Sequence, residues 1–387
     1  MVKRRSFLLG LAGATIPAAG IFTSRAFAGS AAGSGLPLTV VNNSGNYANT
    51  SVRLYIVGTD LATGKQCYVK PDGTLTPVSL GDNGSDGYTD YAIPLAASGD
   101  TRLTLPRMSG RIYVALGDKL RFKAVADGAG RPALQYPAGW VSSDPNYRVL
   151  HDFSEFTFNS GGMYCNTTAV DQFSVPLSLR LTGAADQSTG TIRPGGRDAV
   201  FSAVAAAPGF DKLVVGNKLR VIAPGHGLDA GLFSPSYYDA YVNQVWDTYR
   251  GTDLTVTVNS GTFTGRVSGD ALTFNGPRPV SFSRPSTRDV LFCDGALAAP
   301  NDGTTGPVAA VLGAGFNRSV LAAQHNQPVT DARAFYTADT TNHYAKAVHS
   351  ATVDGKAYGF AFDDVAGFAS YIQDTAPTGL TLTLTPW

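Results

Sequence analysis

Charge is scarce in this chain. Only 15% of its 387 residues are Asp, Glu, Lys or Arg, and the signs nearly cancel, with 30 basic against 29 acidic. No basic run or patch stands out, which argues against nucleic acid or an anionic membrane surface as partner. Four of the cations, Lys3, Arg4, Arg5 and Arg25, precede residue 29 and no acid does, so from residue 29 onward the formal charge is −3. Cysteine is scarcer still. Cys67, Cys165 and Cys293 are too few and too widely spaced for a disulfide scaffold or a zinc site, and they allow at most one bridge. Cys165 has only His151 as a loose partner for thiol chemistry, so it reads as a small packed hydrophobe. Of the five histidines, His325, His343 and His349 share a region, yet their spacing fits no metal-ligand pattern. The chain also lacks a GxSxG elbow, a phosphate-binding GxxxxGK loop, an HExxH pair and a GxGxxG turn. Nothing in it calls for a metal or a cofactor.

Long apolar runs are absent except near the start. There Lys3-Arg4-Arg5-Ser6-Phe7-Leu8-Leu9 is a twin-arginine pattern, followed by an apolar stretch to Phe22 and the small-residue pattern Ala26-Phe27-Ala28. Residues 1–28 read as an export signal. The stretch is rich in Gly and Ala, contains Pro17, and falls short of the roughly 20 residues a membrane span needs. The processed protein is expected to be soluble and secreted or periplasmic, with no membrane partner and a monomer as the default.

What is abundant is turn-forming residues, 44 Gly and 22 Pro, with 43% hydrophobic residues to supply a core. Short strands are predicted over 38–41, 52–57, 66–69, 91–95, 101–105 and 110–116, with turn clusters such as Gly81-Asp82-Asn83-Gly84 between them. This is the pattern of a β-sandwich or barrel. Residues 127–146 read as a loop, whose Trp140, with Tyr147 just beyond, can line a cleft; Asp144 in the same loop is a candidate supporting residue. Beyond residue 182 the texture turns mixed. Short helices are expected at 197–206 and 208–213 and a buried strand at 214–222. Ser234 and Pro235 are expected to open a helix running to Arg250, with Tyr238, Tyr241, Val242, Val245, Trp246 and Tyr249 on one face. Strands at 253–258 and 261–267 and a helix from Thr305 to about Leu321 follow. The expected organisation is a β domain over 36–182, a mixed α/β lobe over 183–350, and strands at 356–362 and 380–385 returning to the β domain within 351–387. Asp363 and Asp364 close the first of these strands, where an acidic pair can start a turn, bind calcium or orient a residue in a cleft.

One stretch combines strand alternation with two acids: HDFSEFTFNSGGMYCNTTAVDQFSVPLSLRL, residues 151–181. Alternation puts Phe153, Glu155, Thr157 and Asn159 on one face and Ser154, Phe156 and Phe158 on the other. With the two phenylalanines inside, Glu155 faces a polar groove. A turn at Gly161-Gly162 and a second strand from about Val170 make a hairpin, in which Asp171 shares the parity of Phe173, Val175, Leu177 and Leu179. Beside that apolar face Asp171 is expected to be partly desolvated, which raises a carboxyl pKa. From residue types alone, the two acids read as an acid/base pair or as unrelated charges on a solvated hairpin.

This segment resembles the catalytic segment of glycoside hydrolase family 64, the bacterial β-1,3-glucanases related to thaumatin-like proteins. SPSYYDAYVNQVWDTY resembles that family's α/β-lobe helix, and YGFAFDDVAGFASYIQ with LTLTLTPW its C-terminal strands. The resemblance implies a thaumatin-like β domain and a mixed α/β lobe flanking a wide cleft, and cleavage of β-1,3-glucan with inversion to short products, in several members a pentasaccharide. It places the general acid on Glu155, the general base on Asp171, and sugar contacts on Thr157, Asn159 and Thr168. Tyr164 stands where characterised members carry a cleft tryptophan. The family role makes Glu155 the proton donor, although the apolar parity favours a protonated Asp171. A binding protein of the same fold without turnover is the alternative.

Overall fold

The computed structural model describes residues 35–387, and the export signal expected over 1–28 lies outside the described residues. The fold is mainly β with helices, as the turn-rich composition implies, and its sheets are open, with no closed barrel among the described residues. An eight-stranded sheet runs in the order Tyr371–Asp374, Gly162–Thr167, Leu150–Asn159, Met108–Leu116, Val52–Thr59, Gln66–Val69 and Leu75–Pro77, with Ile93–Pro94 added against Val52–Thr59. A five-stranded sheet runs Asp186–Thr189, Leu177–Thr182, Gly379–Leu384, Gly35–Asn42, Thr101–Pro106. Their inner faces make one core: Leu54, Ile56, Ile112, Val114, Phe156, Phe158 and Cys165 from the first meet Leu38, Val40, Leu179, Leu181, Leu380 and Leu382 from the second. Period-two alternation is the reason, since each strand can turn only one side toward the partner sheet.

The hairpin around Glu155 is tighter than its sequence suggests. Leu150–Asn159 pairs with Gly162–Thr167, so the partner strand starts at the turn itself. Gly162 makes this possible: its φ of 129° is a glycine conformation, and a Cβ there would lie 2.1 Å from the Asp374 carbonyl oxygen of the next strand. Asp171 is therefore not in the hairpin. Residues 168–171 leave the sheet, Gln172–Phe173 pairs with Arg220–Ile222 in a separate small sheet, and only at Leu177 does the chain rejoin the sandwich.

The remaining helices and a second five-stranded sheet (Val280–Ser283, Ala271–Asn275, Gly261–Ser268, Leu254–Val258, Asn326–Gln327) enclose another core. The helix Asp239–Gly251 buries Tyr241, Val242, Val245, Trp246 and Tyr249, a stripe that sequence spacing anticipates. Each such side chain contributes about 1.5–3 kcal/mol of burial. The helix starts later than expected, because Ser234 caps only a turn, accepting from Ser236 N at 3.3 Å, and Tyr238 is drawn inward with its N–H on Thr287 Oγ1 at 2.9 Å.

Several local expectations need correcting. Residues 208–213 form only a 3₁₀ turn, Asp211–Leu213. The buried strand expected at 214–222 is split in two, Val214–Val215 and Arg220–Ile222, by a turn with positive φ at Gly216 and Lys218. The Thr305 helix stops at Asn317 rather than Leu321, with Ser319 turning at positive φ. The 127–146 loop contains a strand, Pro132–Gln135, paired with Lys123–Ala126. No strand forms at 356–362; its aromatics pack inward in irregular chain, and the returning edge strand is Tyr371–Asp374.

Candidate active site

One face of the eight-stranded sheet packs on the sandwich core; the other carries the site. Register aligns Arg111, Glu155, Asn166 and Tyr371 across four neighbouring strands, and Ser109, Thr157, Tyr164 and Gln373 in the next row on the same face. Beyond Arg111 the face turns apolar at Tyr113 and Phe153. Arg111 lies over the Phe153 ring at 4.2 Å from its centroid and donates to the Tyr113 hydroxyl at 3.3 Å.

Arg111 is the centre of the arrangement. Its Nη2 is 2.9 Å from Glu155 Oε1 and its Nη1 is 3.4 Å from Asp171 Oδ2, with the three side chains 24%, 22% and 13% exposed. Burial alone pulls its guanidinium down, but the oxygens of Tyr113, Glu155 and Asp171 hold it well above its ordinary value. Tyr113, buried beneath, is raised by desolvation in spite of Arg111.

Asp171 does not sit beside an apolar strand. Its other oxygen, Oδ1, is 2.6 Å from His226 Nε2, and Trp140 stacks on that imidazole at 4.1 Å and 16°. The parity argument does not apply, because Asp171 stands outside the strand; its carboxylate, 13% exposed, meets a guanidinium on one oxygen and an imidazole on the other. The 168–171 loop is pinned from several sides: Ala169 N donates to the Tyr358 carbonyl at 2.8 Å, Tyr344 Oη donates to the Ala169 carbonyl at 2.6 Å, Val170 N donates to Thr168 Oγ1 at 3.2 Å, and Ala223 N donates to the Asp171 carbonyl at 3.1 Å.

Of the expected sugar-contacting residues, Thr157 is buried and shares a 2.9 Å hydrogen bond with Ser109, and Asn159 Oδ1 caps the hairpin turn by accepting from Gly161 N at 2.7 Å. Tyr164 stands beside Thr157 with its hydroxyl on the Gly161 carbonyl at 3.3 Å, and Thr168 opens the Asp171 loop. Asn166, next to Glu155 in register, is buried with an Oδ1 that meets no hydrogen-bond donor of the protein. Asp144 shapes the loop that carries Trp140, accepting from Ala138 N at 3.3 Å and Asn146 N at 2.8 Å. Asp363 is fully buried between Arg318 at 3.0 Å and His349 at 2.9 Å. Those partners hold its carboxyl low against the opposing effect of burial. Tyr147 packs with Trp140, Val215 and Ile222. The three cysteines are free and buried, so no bridge forms. His325 lies edge-on to Tyr249, and His343 bonds the Asp339 carbonyl.

Arg111 and His226 are missed by motif reasoning. Arg111 had a signal, an arginine on the face of the apolar strand MSGRIYVAL opposite the core-facing Met108, Ile112 and Val114; His226 had another, its place between two glycines in PGHG directly after a buried strand.

The chain has counterparts among known proteins. Residues 34–384 match glycoside hydrolase family 64, described as β-1,3-glucanase. A glucan endo-1,3-beta-glucosidase of Cellulosimicrobium cellulans is 35% identical, aligned over 97% of this chain and 70% of its own. A laminaripentaose-producing beta-1,3-glucanase, solved in complex with laminaritetraose, superposes with a TM-score of 0.84 at 37% identity, covering 92% of this chain and 99% of that one. A beta-1,3-glucanase domain from Clostridium beijerinckii gives a TM-score of 0.80 at 27% identity, covering 92% and 98%. The chain belongs to glycoside hydrolase family 64, the β-1,3-glucanases.

Proposed function

We propose that this protein is an exported endo-β-1,3-glucanase that cleaves its substrate with inversion, Glu155 acting as general acid and Asp171 as general base. The observation that carries the reading is the shared guanidinium: Arg111 holds Glu155 of the sheet and Asp171 of the excursion loop at one point. The oxygens on its two terminal nitrogens are no more than roughly 9 Å apart, compatible with the about 6.5–9.5 Å that leaves room for a water in an inverting site.

The division of labour follows from the surroundings. Glu155 lies in a row of side chains on the open sheet face, where a glycosidic oxygen can approach. Thr157, Asn159, Tyr164 and Asn166 of the hairpin, with Thr168 at the start of the Asp171 loop, supply hydroxyl, amide and aromatic partners for sugar rings. Asp171 is braced on two sides, which suits a base that must meet a water in one orientation. Glu155 gives its proton to the departing oxygen, Asp171 takes one from the water, and the water oxygen bonds to the anomeric carbon from the opposite face. No helix among the described residues is long and apolar enough to cross a membrane, and the twin-arginine pattern at residues 3–9 supports export by that route to the periplasm or medium. The boundaries at residues 182 and 350 remain our working division of the chain, and a pentasaccharide is our expected product, on the likeness to a laminaripentaose-producing relative.

Incubation with laminarin or curdlan tests the reading. Release of short oligosaccharides whose new reducing ends appear first as the α-anomer by ¹H NMR is expected. Binding with no product refutes the enzyme reading and favours a binding protein; initial β-anomer refutes inversion.

A further inference from the structure

We infer that His226 is a positioning residue for Asp171, holding the base's carboxylate in the plane from which it takes the water proton. The inference rests on the glucanase reading above.

The chain brings the two together through strand pairing. Gln172 pairs with Ile222, and Ala223 N donates to the Asp171 carbonyl, so the residue before one strand faces the residue after the other. Ala223 is extended, Pro224 opens the short helix Pro224–Asp229, and His226 follows within its first turn. The glycines on either side let this helix seat closely. A Cβ at Gly225 would lie 2.9 Å from the Phe292 ring, and one at Gly227 would lie 2.1 Å from Leu213 Cδ2. Gly139, beside Trp140, is packed so closely that a Cβ there would overlap Arg220 Nη1 at 1.7 Å. Three segments thus close on one imidazole.

The ring is held on both sides. Trp140 stacks on it at 4.1 Å, and Phe292 meets it nearly perpendicular at 5.6 Å and 79°. Rotating the imidazole would forfeit the stack, so Nε2 stays directed at Asp171 Oδ1, 2.6 Å away. Arg111 Nη1 approaches the other oxygen at 3.4 Å. A carboxylate engaged at both oxygens by rigidly seated donors keeps its plane, and a displacement of 1 Å at such a group costs on the order of 100-fold in rate. The charged groups facing this pair are Arg111 and Glu155 on the sheet, with Arg288 lying over Phe292 and paired to Asp229 on the outer side of the helix.

Two substitutions in the full chain separate this role from simple packing. His226→Phe keeps a flat ring between Trp140 and Phe292 but has no donor; His226→Gln keeps an N–H. With laminarin as substrate, His226→Phe is expected to lower kcat about 10- to 100-fold with KM changed less than about threefold. The acid limb of its kcat/KM profile should move to higher pH, because a hydrogen bond to the charged form has been lost. His226→Gln should recover most of kcat. A His226→Phe kcat within about twofold of wild type, a loss confined to KM, or a Gln variant as slow as Phe overturns the inference. Should His226→Phe fail to fold by circular dichroism, His226→Ala with imidazole gives the same contrast: restored rate supports positioning, and no restoration refutes it. A wild-type protein inert on laminarin defeats the glucanase reading and this inference together; an active wild type with an active His226→Phe defeats this one alone.

Discussion

His151 and Asp152, adjacent on the strand that carries Glu155, oppose one another in their effect on stability. His151 is 1% exposed, with Nδ1 2.8 Å from the Val149 carbonyl, and burial followed by nearby Arg220 pushes its imidazole down to about 3 from 6.5. Asp152 is pushed up to about 7 from 3.8 by burial, against the N–H groups of Ser174, Val175 and Phe153 and the charge of Arg220. For His151 the unfolded chain takes a proton that the folded chain refuses, so its contribution is complete above pH 6.5 and is lost as pH falls toward about 3. For Asp152 the folded chain keeps a proton that the unfolded chain releases, so its contribution is complete below pH 3.8 and is lost as pH rises toward about 7. Each slope is about 1.4 kcal/mol per pH unit, and between pH 4 and 6.5 they cancel. His151→Asn preserves an N–H toward Val149 and exposes the Asp152 slope: between pH 4 and 6.5 the variant should lose about 3 kcal/mol more than wild type does. Asp152→Asn should show the reverse, and the double variant should run parallel to wild type. Urea unfolding at four pH values measures this, and the slope is independent of any cavity cost, which shifts all points alike. Parallel curves for wild type and His151→Asn would refute the argument.

Glu155→Gln should lower kcat on laminarin about 10²- to 10⁴-fold but recover at least tenfold of that loss on a dinitrophenyl laminarioside, whose leaving group needs no proton; equal losses on both substrates would remove Glu155 as the acid. Arg111→Met leaves the Glu155 and Asp171 carboxylates without the cation between them. At these partial exposures it should cost about 2–3 kcal/mol in urea unfolding, and a cost below about 0.5 kcal/mol would show that the ion pairs are dispensable. Burial pushes the Cys67 thiol up to about 12 and raises Cys165 and Cys293 further. Ellman's reagent should therefore find no reactive thiol in the native protein and three in urea; rapid native labelling would contradict the packing.

The alternation FSEFTFN suffices to place Glu155 on a polar face, because Phe156 and Phe158 can satisfy only one side of a strand. Asp171 was harder to read. Its parity with Phe173 and Leu177 is genuine in the sequence, but the chain leaves the sheet at Thr168, and side-chain parity carries no meaning across an irregular segment. That excursion is fixed by partners far away in sequence, Tyr344, Tyr358 and Ala223, which no local pattern contains. Arg111 and His226 were obscured for the same reason: one is a cation whose partners lie on another strand and a loop, the other a histidine that meets its acid through a strand pairing. The helix stripe of Tyr241, Val245 and Trp246 was legible because its spacing and its burial are the same fact.

The five-stranded sheet of the sandwich also sets a timetable. Its middle strand, Gly379–Leu384, lies parallel to Gly35–Asn42 and antiparallel to Leu177–Thr182. The earliest described strand pairs on one edge with Thr101–Pro106, but its other edge waits for one of the last strands to leave the ribosome, and the sheet backing the Glu155 strand cannot close before then. A nascent chain holds both carboxylates long before it holds them together. Glucanase activity is therefore expected only once synthesis has passed residue 384, and a chain truncated before Gly379 should show none.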